Sequence, residues 1–226
     1  MTYILQIETA TTNCSVALSK NGKTIAVKEV NDGYSHAENI HVFIKNILAE
    51  NKLEYANLSA IAVSKGPGSF TGLRIGVSSA KGLCFALDIP LISIDTLQVL
   101  AKQTQITEGV IISMIDARRM EAYTAVYNKD YQLLKAVSAT VFDTHYFEDY
   151  LEKGKVAFLG NAVDKLQTVL QHENAIFLEE VLPSANEMSA LSFDKFQESD
   201  FEDVAYFEPY YLKDFVVTPP KKKTIH

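Results

Sequence analysis

Seventeen residues, Gly66 to Gly82, read G-P-G-S-F-T-G-L-R-I-G-V-S-S-A-K-G, and they limit what the chain can become. Pro67 fixes its own φ and has no amide hydrogen to give. Gly66 and Gly68 allow conformations and close approaches that other residues do not. The stretch Gly66-Pro67-Gly68-Ser69-Phe70 is therefore a tight loop. From Thr71 to about Leu87 the spacing turns helical, with Leu73, Val77, Ala80, Cys84 and Leu87 on one face. Gly72, Gly76 and Gly82 each cost such a helix about 1 kcal/mol against alanine. Packing must hold it. Gly72, Gly76, Ser79 and Ala80 are small enough to admit another backbone.

The order around this stretch gives the fold class. Tyr3 to Glu8 and Cys14 to Leu18 read as strands, and Asn21-Gly22 turns the chain into a third over Thr24 to Val30. Ser35 and Glu38 have the spacing of a capping box. The helix behind them puts Ile40, Phe43, Ile44, Ile47 and Leu48 on one stripe. A strand over Leu58 to Ser64 leads into the glycine loop, and another covers Pro90 to Ile94. A second pass begins after about Leu100. Strands are predicted at Val110–Asp116, Tyr123–Tyr127 and Leu133–Val141, then a helix at Thr144–Glu152, a strand at Val156–Gly160, a helix at Ala162–Leu170 and a strand at Ala175–Leu178. Ser184 and Glu187 again have capping-box spacing, opening a helix to about Ser199. Phe207 to Leu212 reads as an edge strand or an extended segment, because Pro209 cannot donate to a ladder. Both halves share a plan: acid-ended strand, turn, hairpin, helix, strand. The class is α/β, with mixed sheets carrying helices.

Composition narrows the chemistry. The 226 residues carry a formal charge of −7, a poor match for nucleic-acid phosphates. Lys221-Lys222-Lys223 is too short to change that. Cys14 and Cys84 lie among apolar residues and read as buried thiols in a reducing cytoplasm. Met1-Thr2-Tyr3-Ile4 enters a strand without a basic region, which predicts no secretory leader. No apolar run approaches the ~18 residues of a membrane span.

Each candidate site has an ordinary alternative. The Gly66 loop either cradles a phosphate at a helix start or packs a strand tightly against a helix. It is not a Walker loop, because Leu73-Arg74 follows Gly72 where Lys-Ser or Lys-Thr would be needed. Arg74 either binds an anion or pairs with Glu8 or Asp116. Those two acids end equivalent strands. They either hold Mg²⁺ near a phosphate, as a phosphotransferase requires, or accept loop amides. His36 and His41 are five apart and do not share a helix face. Cys14 has no evident activator. No metal cluster and no nucleophile–base pair can be assembled, which leaves a peptidase without a mechanism.

Ile7-Glu8-Thr9-Ala10-Thr11, the Gly66–Gly82 stretch (with Pro67, Gly68, Ser69, Phe70, Thr71 and Arg74), Ile115-Asp116-Ala117-Arg118, Leu182-Pro183-Ser184-Ala185 and Pro209-Tyr210-Tyr211-Leu212 resemble the TsaB (YeaZ) family. The resemblance covers nearly the whole chain. It implies two domains of the actin/Hsp70/sugar-kinase type, over 1–100 and 101–216, with a basic tail at 217–226. It implies a cytoplasmic, non-catalytic subunit of the machinery that forms threonylcarbamoyladenosine in tRNA. Its direct partner would be the catalytic paralogue TsaD, with the ATPase TsaE joining through the complex and tRNA touched only indirectly. Alone, the chain would be a homodimer. ATP and metal are expected on the partner subunits, and neither cofactor nor metal on this one. In the paralogue a His-x-x-x-His helix supplies metal ligands, and that segment falls on Thr96 and Leu100 here, which cannot replace imidazole. The resemblance places the partner interface on the first two helices: His36, Ile40, Phe43, Ile44 and Ile47 on one; Gly72, Leu73, Gly76, Val77, Ser79 and Ala80 on the other. Two such helices from each subunit would form a four-helix bundle.

Overall fold

The computed structural model describes residues 1–33, 35–143 and 145–213; the expected tail lies outside them. Strands β1 (Tyr3–Glu8), β2 (Cys14–Lys20), β3 (Lys23–Val30), β4 (Ala60–Gly66) and β5 (Leu91–Asp95) form one sheet, in the order β3-β2-β1-β4-β5. Strands β6 (Val110–Asp116), β7 (Glu121–Asn128), β8 (Leu133–Val141), β9 (Val156–Leu159) and β10 (Ala175–Leu178) form a second, in the order β10-β9-β6-β7-β8. Read from opposite edges, the two orders are the same. β1 is antiparallel to β2 and parallel to β4, as β6 is to β7 and β9. The duplicated plan is borne out, and the fold is the α/β type of the actin/Hsp70/sugar-kinase group.

The helices are α1 (His36–Glu50), α2 (Phe70–Leu87), α3 (Thr96–Ala101), α4 (Glu148–Leu151), α5 (Val163–Gln167) and α6 (Met188–Glu198). Among the described residues no helix is long and apolar enough to cross a membrane. β1 is buried on both faces, which explains its unbroken apolar start. Leu5 and Ile7 meet Ile40, Ile44 and Ile47 of α1 and Val77, Ala80 and Cys84 of α2. On the other face, Ile4, Ala62 and Ile92 meet Met188 and Leu191 of α6. Gln6, fully buried on that side, places its amide 2.7 Å from Ser19 Oγ and 3.1 Å from Ser192 Oγ. Against the second sheet, Phe147 meets Phe158 edge-on with centroids 5.1 Å apart, and Phe158 stacks on Phe177 at 5.5 Å. α3 lies against the opposite face through Leu97 and Leu100.

Several local expectations shift. Neither capping box forms. The Ser35 hydroxyl donates to Asp32 instead, and Asn39 Nδ2 returns to the Ser35 carbonyl at 3.0 Å. Ser184 Oγ accepts from the Asn186 amide, so the chain opens there with a 3-10 turn over Ala185–Glu187 before α6. The expected helix at Thr144–Glu152 shortens to α4, because Asp143 Oδ1 accepts from the amides of His145 and Tyr146, both at 2.8 Å, and turns the chain first. At the C-terminal end, the extended alternative holds. Tyr210 donates its amide to Lys65 O at 2.7 Å without a ladder, and the antiparallel bridge lies upstream, between Leu91 and Glu202. Residues 185–212 thus return to the first sheet.

Because Met188 is fully buried between α6 and that sheet, Met188→Ala should cost about 2–5 kcal/mol, read as a lower midpoint in urea denaturation.

Candidate functional site

The glycine loop is folded against the turn that follows β1. Ser69 donates its amide to Ala10 O at 2.7 Å, and Thr9 Oγ1 donates to Gly72 O at 2.8 Å. Ser69 caps α2, its hydroxyl accepting from the Gly72 amide. A Cβ at Gly68 would lie within 3.0 Å of Ala10 O, at Gly72 within 3.0 Å of Thr9 O, and at Gly76 within 3.0 Å of Thr9 Oγ1. All three glycines therefore face inward. Of the two readings left open by the sequence, the close strand-to-helix contact is the one made here. The Gly66–Pro67 peptide is cis, and Gly66 sits at φ +111°.

His36 belongs to the same assembly. Its ring is buried, Nε2 lies 2.8 Å from Thr11 O, and burial lowers its pKa, so a neutral imidazole donates to that carbonyl. His41 is on the surface, 3.4 Å from Ser79 Oγ of α2. The pair is split, as the spacing predicted.

Glu8 and Asp116 end equivalent strands in different surroundings. Glu8 is fully buried and accepts from the Ala10 amide at 2.6 Å. Burial raises its pKa to about 7 against the lowering effect of its hydrogen bonds. Asp116 lines an open cleft of about 800 Å³ between the glycine loop and the β6–β7 turn. Its Oδ1 accepts from the Arg118 amide at 2.7 Å and pairs with Lys165, and its own amide donates to Asn161 Oδ1. Glu8 does not reach the cleft, so the two acids do not form the Mg²⁺ pair. Arg74 pairs with neither of them. Its guanidinium lies 4.0 Å over the Phe70 ring, and Nε donates to the Tyr211 hydroxyl. Sequence reasoning missed Arg119, Tyr123, Asn161 and Lys213 as cleft residues, because the β6–β7 turn, strand β7, the turn after β9 and the C-terminal segment bring them there.

The interface expectation needs the largest correction. His36, Ile40, Ile44, Ile47, Gly72, Leu73, Gly76, Val77 and Ala80 are all buried against the chain's own first sheet. They have no surface to offer a partner; Phe43 and Ser79 are partly open. The outward side of α2 is made by Ser78, Gly82, Phe85 and Ala86, all exposed, with Phe85 at 85%. Gly82 has open space before it. Val42 is exposed on α1. The available signal was Phe85 itself, a phenylalanine off the Leu73-Val77-Ala80-Cys84 stripe.

A family model described as TsaD, tRNA N6-adenosine threonylcarbamoyltransferase, matches residues 33–221. The tRNA threonylcarbamoyladenosine biosynthesis protein TsaB of Escherichia coli (strain K12) is 31% identical over 222 residues, covering 94% of this chain and 95% of that protein. The chain belongs to the TsaB family. The TsaB protein of Bacillus subtilis (strain 168) is 34% identical over 161 residues, 70% of each chain. The solved structure of YeaZ from Pseudomonas aeruginosa has the same fold, with a TM-score of 0.80 at 24% identity, covering 94% of this chain and all of that one. In this TsaB-family chain the family-motif residues divide by place. Glu8, Thr9, Thr11, Gly66 and Pro67 are buried at the loop–turn contact, whereas Thr71, Arg74 and Arg118 are exposed around the cleft and its rim.

Two consequences are measurable. Gly76→Leu must displace a Thr9 hydroxyl already bonded to Gly72 O, so overpacking should cost about 1–3 kcal/mol in urea denaturation. Glu8 is an acid whose folded pKa lies above its unfolded value of 4.5. Its contribution to stability is therefore complete below pH 4.5 and lost as pH rises towards 7. Glu8→Gln keeps an oxygen for the Ala10 amide and removes that loss. Stability measured from pH 4.5 to 8 should show the variant gaining on the parent by on the order of 3 kcal/mol.

Proposed function

We propose that this chain is a non-catalytic subunit in the formation of N6-threonylcarbamoyladenosine in tRNA, and that it docks on a TsaD-type threonylcarbamoyltransferase and supports its activity. The observation that carries the docking is the outward side of α2. A phenylalanine 85% exposed stands beside Ser78, Gly82 and Ala86 on a helix whose inner side is fully committed. Small residues around one large apolar side chain let a partner helix approach to about 8 Å and bury the ring. Val42 extends the apolar surface on α1, which touches α2 through His41 and Ser79. Without the enzyme the same surface pairs with a second copy of itself.

The non-catalytic part rests on Thr96 and Leu100. Both are fully buried; the Thr96 hydroxyl lies 2.6 Å from Ser64 Oγ, and Leu100 packs among Ile111 and Leu159. Where the paralogue carries histidines, these side chains serve the interior. ATP, metal and the TsaE-type ATPase then act through the partner. The charge of −7 fits a subunit that leaves most of the tRNA contact to others. Cys14 and Cys84 are buried free thiols, the state a cytoplasm maintains. The phosphotransferase alternative needs Glu8 and Asp116 together in the cleft, and only Asp116 lines it.

Light-scattering chromatography with TsaD from the same organism should show a hetero-complex replacing a homodimer. Phe85→Glu should weaken that complex at least about tenfold while moving stability by no more than about 0.5 kcal/mol. An undiminished complex would remove α2 from the interface. A reconstituted tRNA modification that proceeds equally well without this chain would sink the proposal as a whole.

A further inference from the structure

A second cavity, of about 640 Å³, shares Tyr210 and Tyr211 with the cleft and lies between α3, strands β7 and β8 and residues 207–211. Its volume is within the range of small-molecule sites. The segment over it is tied down at both ends. Tyr210 donates its amide to Lys65 O at 2.7 Å, and Lys81 Nζ donates to Phe207 O at 2.8 Å. The cavity is thus built into the fold.

The lining has two kinds of surface. Leu133, Val137, Phe207 and Tyr211 make an apolar part. The polar part contains Lys65, Asp95, Glu208 and Tyr127. Asp95 precedes α3 but makes no side-chain cap bond, and its carboxylate is left to Lys65 Nζ at 3.2 Å and to the cavity. Tyr127 is only 3% exposed and lines the cavity. Burial and the nearby Asp95 charge keep that phenol protonated, so it offers a donor.

These groups specify complementary chemistry. One lysine stands against two carboxylates, which favours an ammonium and opposes a phosphate. The phenol donor matches a carbonyl or carboxylate oxygen. The apolar part calls for an apolar side chain. We propose that this cavity binds an α-amino carbonyl compound with an apolar side chain, its ammonium on Asp95 and its carbonyl oxygen on the Tyr127 hydroxyl. That head group is common to a free hydrophobic amino acid and to the first residue of a peptide. In the free amino acid a carboxylate is present for Lys65; in a peptide the amide leads out of the cavity.

Isothermal titration calorimetry on the full chain, with L-phenylalanine, L-phenylalaninamide and N-acetyl-L-phenylalaninamide, tests the assignment. At least one of the two free amines should bind saturably, and the acetylated probe at least about tenfold more weakly, since it has lost the charged hydrogen bond. Tighter binding of the amino acid assigns the free metabolite; tighter binding of the amide assigns a peptide N-terminus. Asp95→Asn should weaken binding about tenfold, and Tyr127→Phe by a smaller factor. Ala136 is an exposed residue of the lining, so Ala136→Trp should fill the cavity and abolish binding while leaving the fold intact by circular dichroism. Absence of saturable binding by both amines, equal binding of the acetylated probe, or binding unchanged in folded Ala136→Trp would each overturn it.

Discussion

The contact between the start of α2 and the turn after β1 sets the rest of the first half. The carbonyls of Thr9 and Ala10 occupy the space where Cβ atoms would stand at Gly72 and Gly68. A helix that comes so close cannot carry side chains there, and it loses about 1 kcal/mol of intrinsic preference at each glycine. What offsets this is burial. The approach brings Val77, Ala80 and Cys84 onto Leu5, Ile7 and Ile61 in a single cluster with α1. His36 closes the arrangement by bonding Thr11 O and resting its ring beside Gly72. Gly66 belongs to it too, since the Tyr210 carbonyl lies 2.9 Å from where its Cβ would be. The C-terminal segment is therefore seated on the same loop.

Much of this was legible in the residues, for reasons that can be named. The shared plan of acid-ended strand, hairpin, helix and strand was legible and both halves follow it, whereas the strand order of the second sheet, set by non-local pairing, was not. The α1 stripe put Ile40, Ile44, Ile47 and Leu48 inward, and they are inward. Local hydrogen-bond choices were harder to read. Ser35 and Ser184 had the right spacing for capping boxes, but Asp32 and the Asn186 amide competed successfully for their hydroxyls. α3 is six residues long without a side-chain cap and leaves little periodic signal. The sheet that α6 covers is a non-local matter. An amphipathic helix announces that it has an inner face, not which core receives it.

The candidate interface shows the same limit. Small residues in α2 have two opposite uses, and spacing alone does not distinguish them. Gly72 and Gly76 meet the chain's own backbone, whereas Gly82 faces open space. Only the residue off the apolar stripe separates the sides. Phe85 follows Cys84 directly, about 100° further round the helix, and of the two it is the thiol that is buried.

Duplication of the backbone has not duplicated the chemistry. Gly66 and Gly160 follow the same course at the ends of β4 and β9, at φ +111° and +118°. Each leads towards a helix, but the helices differ in length. α2 runs for 18 residues and seals the turn after Glu8, which leaves that carboxyl dry and shifted upward. α5 runs for five and leaves Asp116 open to the cleft, with Lys165 and Asn161 as company. One acid has become part of the packing, and the other remains available to solvent and ligands. Two acids that end equivalent strands are thus divided between a sealed half and an open half. The sealed half commits the inner side of its long helix to packing and leaves Phe85 exposed on the other side.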